Sequence, residues 1–345
     1  MLLTPLPLII GANAAVGRQW ANTAIWILGG VPAGITLLFG ALDLAGVPMW
    51  SPDLSQQTRF ALDAGFVVTG FAAAGFVFKP IRKDIAAFLP IDPESPVDAL
   101  ALVLAVILLG TQVTSFAFTD VLATDQSQPV LNLVDIVLQE APFLILGLAG
   151  VGIFMRRSPS ESAARLGLVL PAWWQVVLAL AAAGAFYAFS LGMSSLSESW
   201  TPAVAHKVDS VNQHLFGGLA ASSIGIMAVA LIPGICEEVL FRGALQPRLG
   251  LVFTALLFAS IHTQYGLSLD ALAILTIAIG LGLIRKYANT TSSGLCHITY
   301  NLLAGFGLAG WSLNAAIGAE LVLAAILVAY AIRAGRTRGA APANP

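Results

Sequence analysis

What most limits this chain is a succession of ten apolar runs, at about 21–47, 60–78, 97–118, 130–154, 172–192, 217–241, 250–264, 267–285, 292–309 and 312–333. Roughly 20 apolar residues carry a helix across the hydrocarbon of a bilayer, so most of these runs span it or nearly do. The seventh is short, and is expected to tilt or to lie buried among its neighbours. With 58% hydrophobic and 10% charged residues and a mean hydropathy of +0.87, the composition lies far from soluble averages, where roughly 25% of residues are charged. The expected fold is all-α: a polytopic integral membrane bundle of about ten transmembrane helices.

Ten spans bring both termini to one side. Of the sixteen Lys and Arg residues, all but Arg59 and Lys207 then fall on that side, and the positive-inside rule makes it cytoplasmic. One missed or extra span would invert every later loop and scramble the bias. A net charge of -2 without clustered Lys or Arg argues against nucleic acid as a partner. The first fifteen residues are apolar but lack a positive n-region, with Arg18 following the apolar stretch, so no cleavable signal is expected. The two cysteines, Cys236 and Cys296, sit in apolar segments and read as small core residues rather than a disulfide framework.

Two cytoplasmic loops divide the chain, residues 79–96 with four prolines and residues 156–171 opened by Ser158-Pro159. The second reads as a boundary, because the four helices before it contain no His and the half after it holds all four. The expected organisation is an N-terminal four-helix membrane module (1–165), a core (166–310), and a final transmembrane helix with a disordered basic tail (311–345). Residues 193–216, with His206 and His214 among Ser, Asp and Asn, read as a solvated non-cytoplasmic loop.

Within the core, Gly234-Ile-Cys-Glu-Glu-Val-Leu-Phe-Arg-Gly243 places two carboxylates and a guanidinium in an apolar run, where each charge costs at least ~2.5 kcal/mol. Glu238 and Arg242 stand at i and i+4 with the acid first, the favourable order for an ion pair. Glu237 points about 100° away and is left free for chemistry. Phe258 with His262, and His297 with Asn301, share the same i, i+4 spacing. At ~1.5 Å of rise per residue, Glu237, His262 and His297 lie ~15, ~18 and ~12 Å from the cytoplasmic end, at one depth. A carboxylate and an imidazole can deprotonate a water while a second imidazole and an amide stabilise an oxyanion. The same Glu and two His can equally hold a Zn²⁺ with an open position for water, and the residues leave both open.

In order and in apolar context, Glu237-Glu238-x-x-x-Arg242, Phe258-x-x-x-His262 and His297-x-x-x-Asn301 resemble the three signature motifs of the CPBP intramembrane proteases. That group includes the type II CAAX prenyl endopeptidases and bacteriocin self-immunity proteins. The resemblance covers about residues 170–310. It implies that Glu237 and His262 activate water, that His297 and Asn301 line an oxyanion site, and that Glu238 and Arg242 hold the architecture. It further implies membrane lipid and a membrane-associated or lipidated peptide as partners. A glutamate-dependent and a metal-dependent mechanism both remain within it, the latter with one divalent metal, zinc, on Glu237, His262 and His297. The motifs of other intramembrane proteases, His-Glu-x-x-His, Gly-x-Gly-Asp and Gly-x-Ser-Gly, are missing from the sequence. A reading of another class, a transporter or immunity factor, would put Glu237 and the histidines with Asp63, Asp135, Glu140 and Glu320 on a proton or ion path. No internal repeat of the kind transporters carry is visible.

Overall fold

The apolar runs are largely helical in the computed structural model, which describes residues 3–50 and 53–339, although the run 217–241 is broken at Ala221 and Ser222 and the run 250–264 after Ser260. The helices are α1 (Leu6–Ala15), α2 (Ala21–Leu44), α3 (Gln56–Gly75), α4 (Lys79–Ile85), α5 (Pro96–Phe118), α6 (Val121–Gln126), α7 (Leu133–Gly150) and α8 (Pro159–Leu166). They continue with α9 (Trp173–Trp200), α10 (Pro202–Ala220), α11 (Ser223–Glu237), a π-helical segment (Glu238–Leu245), α12 (Gln246–Leu249), α13 (Leu251–Ser260), a 3-10 turn (Thr263–Tyr265), α14 (Leu269–Tyr287), α15 (Thr290–Phe306) and α16 (Trp311–Gly339). There is no strand among the described residues. The disorder expected after Arg333 falls partly on α16, and residues 340–345 lie outside the described residues.

The expected ten spans are met in part. By length and composition six helices can cross a membrane, or seven if α3 and α4, bent by 90° at their junction, form one span. The shortfall has physical causes. The ten residues of α13 rise only ~15 Å, α15 has 17 residues, and α14 carries Asp270, Arg285 and Lys286. These three short or charged helices pack within the bundle, α13 against α14 and α5, and α15 against α9 and α11.

The residues expected to form loops are partly helical. Residues 79–96 begin with α4, and residues 156–171 contain α8, capped at its N-terminus by Ser158 and ended by Gly167 in the left-handed region at φ 75°. The expected loop 193–216 is the end of α9 followed by α10. Helix α10 buries Ala205, Val208, Val211, Leu215 and Leu219, one stripe at intervals of three and four, and turns His206 outward.

The two halves divided at residue 165 share their packing. Helix α7 lies against α11 and the π-helical segment, α13 against α5, and α1 against α7. One core cluster joins Leu102 of α5 to Phe241, Leu257, Phe258 and Ile274 of the other half. Close approach at the crossing of α11 and α15 requires Gly234, where an added Cβ would stand 2.5 Å from Ile298 Cγ1. Small residues at such crossings let helices approach in a membrane.

Candidate active site

Glu237 ends α11 and Glu238 opens the π-helical segment. The helix expected over 217–241 therefore changes its hydrogen-bond register at the carboxylate pair, as single-turn π segments do at many functional sites. Both carboxylates are buried, with Glu237 5% and Glu238 1% exposed.

Glu238 is the more heavily bonded of the two. Arg242 Nε lies 3.6 Å from its Oε2 in the i, i+4 relation, and Ser293 Oγ donates to the same oxygen. His297 Nδ1 lies 3.2 Å from Oε1. A carboxylate is an acceptor, so this contact places a proton on Nδ1 and leaves Nε2 as the free ring nitrogen. Arg242 is 1% exposed and seats its guanidinium 4.4 Å from the centre of the Phe258 ring, a cation–π contact in a desolvated setting.

Glu237 Oε2 is buried without a hydrogen-bond partner. The nearest ring nitrogen, His297 Nε2, is 3.9 Å away, beyond hydrogen-bond reach.

His262 does not share a helix face with Phe258, as its spacing suggested. Helix α13 stops at Ser260, and His262 follows with φ -87° and ψ 61°. Its Nδ1 reaches back to Phe258 O at 2.8 Å, satisfying one of the carbonyls that a helix C-terminus leaves unpaired. A carbonyl only accepts, so Nδ1 holds the proton and Nε2 keeps its lone pair. Phe258 is the wedge between the groups, 4.6 Å from the His262 ring and 5.9 Å from the His297 ring.

Asn301 has a structural occupation. Pro233 inside α11 has no N–H, which frees the carbonyl four residues earlier, and Asn301 Nδ2 lies 3.5 Å from that carbonyl, Val229 O. The contact is long and uses at most one of the two amide hydrogens.

Glu237, His262, His297 and Asn301 line one cavity of about 1370 Å³, with Phe258 and Tyr265. Its wall also includes Glu140 of α7, Gln112 of α5, Ile9 of α1 and Asp209 of α10. Glu140 Oε2 is buried without a hydrogen-bond partner. In the sequence Glu140 enters only the transporter reading, on a proton or ion path, and Ser293 is not singled out. The intramembrane rule that marks Glu237 marks Glu140 equally, and Ser293 stands four residues before His297, so both signals were present. His206 and His214 do not line the cavity. His214 Nε2 meets Gln128 O at 2.8 Å.

The fit to a metal is poor. No three His, Cys, Asp or Glu side chains among the described residues converge as a metal-holding group, although the Nδ1 contacts of His262 and His297 leave Nε2 of each ring open, as in metal-binding imidazoles. Glu237, His262 and His297 as placed do not form the three-ligand set of a catalytic zinc site.

A cavity inside a membrane-spanning bundle, bordered by a carboxylate with an open oxygen, two imidazoles and a carboxamide, defines a class of intramembrane polar site suited to hydrolysis. Residues 220–303 match the family described as Type II CAAX prenyl endopeptidase Rce1-like. This segment contains all three motifs, and through it the chain resembles the CPBP/CAAX intramembrane protease family. No curated protein and no solved structure matches the chain.

Proposed function

We propose that this protein is an intramembrane endopeptidase that hydrolyses a peptide bond in a membrane-associated or lipidated peptide, with Glu237 as the base. The observation that carries this reading is the Oε2 atom of Glu237, buried, unpartnered and bordering the cavity that His262 and His297 also line. An acceptor left open in a desolvated wall is ready for a water.

In this reading the water donates one hydrogen bond to Glu237 and one to the lone pair of His262 Nε2, whose ring is oriented by Phe258 O. As the water oxygen attacks the scissile carbonyl carbon, Glu237 takes its proton, and the carbonyl oxygen becomes an oxyanion. The second hydrogen of Asn301 Nδ2 is presented to that oxyanion, and His297 adds a donor only on taking up a further proton at Nε2, with Glu238 at its Nδ1 to balance the charge. Glu237 then returns the proton to the leaving amine as the C–N bond breaks. Orientation of an imidazole by a buried carboxylate is a recurrent device for such roles.

The test is Glu237→Gln, which keeps shape and hydrogen bonding but cannot accept a proton. Turnover of a membrane-anchored peptide reporter should collapse while Tm stays near that of the unsubstituted protein. Full activity in Glu237→Gln would end the peptidase reading. Activity abolished by a strong chelator and restored by Zn²⁺ would replace direct activation of water by a metal mechanism. Glu140 in the same cavity favours a second reading, a proton path, in which Glu140→Gln and Glu237→Gln would both abolish a proton-coupled flux in vesicles and no cleavage would be found.

A further inference from the structure

A second recess of about 750 Å³ lies where α1, α5, α7 and α12 end or begin, and Arg18, Arg156, Arg157, Arg165 and Arg248 line it together with Asp92, Glu94 and Asp98. Of the five arginines the acids pair with one, Arg248. Glu94 is held by Lys79 at 2.5 Å, and Asp98 by Arg248 at 2.8 Å. Asp92 has no cation partner and receives the backbone N–H of Glu94. Four guanidinium groups, those of Arg18, Arg156, Arg157 and Arg165, have no carboxylate partner among the described residues. Arg156 is held by Asn13 Oδ1 at 2.9 Å and Arg157 by Val151 O.

Arg165 is the least accounted for. It is half-buried on α8, and its side chain makes no hydrogen bond or ion pair among the described residues. Burial, with the guanidinium groups of Arg248 and Arg157 beside it, pushes its pKa down to about 10. Like charges gathered and partly desolvated, with Asp98 the carboxylate that acts on both Arg165 and Arg156 and already paired to Arg248, are held at a cost, and an anion in the recess would relieve it.

We propose that this recess binds a phosphate oxyanion, presented by the headgroup of an anionic lipid. The depth agrees with that source, since the recess gathers residues just beyond the ends of apolar helices, where headgroups lie. Arginine forks match phosphate oxygens in geometry, and basic pockets between transmembrane helices recognise anionic headgroups. The recess and the large cavity share Val97 and Arg248, so an occupant would stand against the wall of the candidate active site. The proposal does not depend on the catalytic assignment.

The experiment uses the full chain in a neutral detergent, with Tm followed during titration by short-chain phosphatidylglycerol, short-chain phosphatidylcholine and inorganic phosphate. Phosphatidylglycerol should give a saturable rise in Tm that phosphatidylcholine does not. Arg165→Gln should fold with an unchanged lipid-free Tm and bind about tenfold more weakly, as for loss of a hydrogen bond to a charged group. Arg18→Gln, just beyond the end of α1 in the same lining, should weaken binding as well, and Arg59→Gln, in the first turn of α3 and outside the lining, should not. Inorganic phosphate matching the lipid at equal concentration would keep the oxyanion site and assign it to a soluble phosphate. Equal shifts from both lipids, or an undiminished response in both Arg165→Gln and Arg18→Gln, would overturn the proposal.

Discussion

Arg242 is held by charge and by an aromatic face more than by hydrogen bonds. Its Nε and Nη1 have no hydrogen-bond partner, while Glu238 and the Phe258 ring flank it at 3.6 and 4.4 Å. Removing one partner of a buried pair leaves the other charge uncompensated, so Arg242→Ala should destabilise the protein by about 3–5 kcal/mol, read as lost expression and a lowered Tm. Arg242→Lys keeps the charge but loses the planar contact with the ring, and its Tm should fall between the two. A stable but inactive Arg242→Ala protein would move Arg242 from architecture to chemistry. Ser293→Ala gives a finer measure. It removes one donor from Glu238 but leaves Arg242 and His297, so it should lower activity while costing about 1–3 kcal/mol.

At the scale of the element, Gly234 decides whether the carboxylates of one helix reach the imidazole of the next. An added side chain would meet Ile298 on α15, one residue beyond His297. Gly234→Val should therefore separate α11 from α15, cost about 1–3 kcal/mol by overpacking, and lower activity more than its change in Tm explains. An active Gly234→Val protein would show that the two helices need not touch there. How far such elements could be read from the sequence varied with the signal each one carries. The apolar runs announced their helices, and the three motifs announced residues that line one cavity. Helix α10 was hidden because its Ser, Asp, Asn and His drew attention to polarity, although Val208, Val211, Leu215 and Leu219 already kept a helical period. The change to a π-helix at Glu238 had no signature in residue type. The end of α13 before His262 was equally silent, since a carbonyl satisfied by an imidazole four residues on looks in sequence like one more turn of helix.

For the whole molecule, taking α2, α3 with α4, α5, α7 and α9 as five successive spans puts residues 79–96 and 156–165 on one side and the α9–α10 junction on the other. The former carry Lys79, Arg82, Lys83, Arg156, Arg157 and Arg165, so they should face the cytoplasm. Single cysteines at Ala87, Ser160 and Ser199, all exposed, can test this with an impermeant thiol reagent on intact cells. The native Cys236 and Cys296 are buried and should give little background. Only the cysteine at Ser199 should react from outside, and reaction at Ala87 or Ser160 would invert the proposed orientation.

The cavity wall crosses the line where similarity ends. The matched family segment begins at residue 220, yet Ile9, Gln112 and Glu140 border the same space as Glu237 and His297. Heredity and assembly therefore draw different borders on this chain: the stretch that carries the ancestry would be a vessel open on one flank if it were transplanted without its neighbour. Helices α1, α5 and α7 are where a descendant could change what fits against an unchanged set of reactive groups, with specificity diverging in the half that bears none of the family's signature.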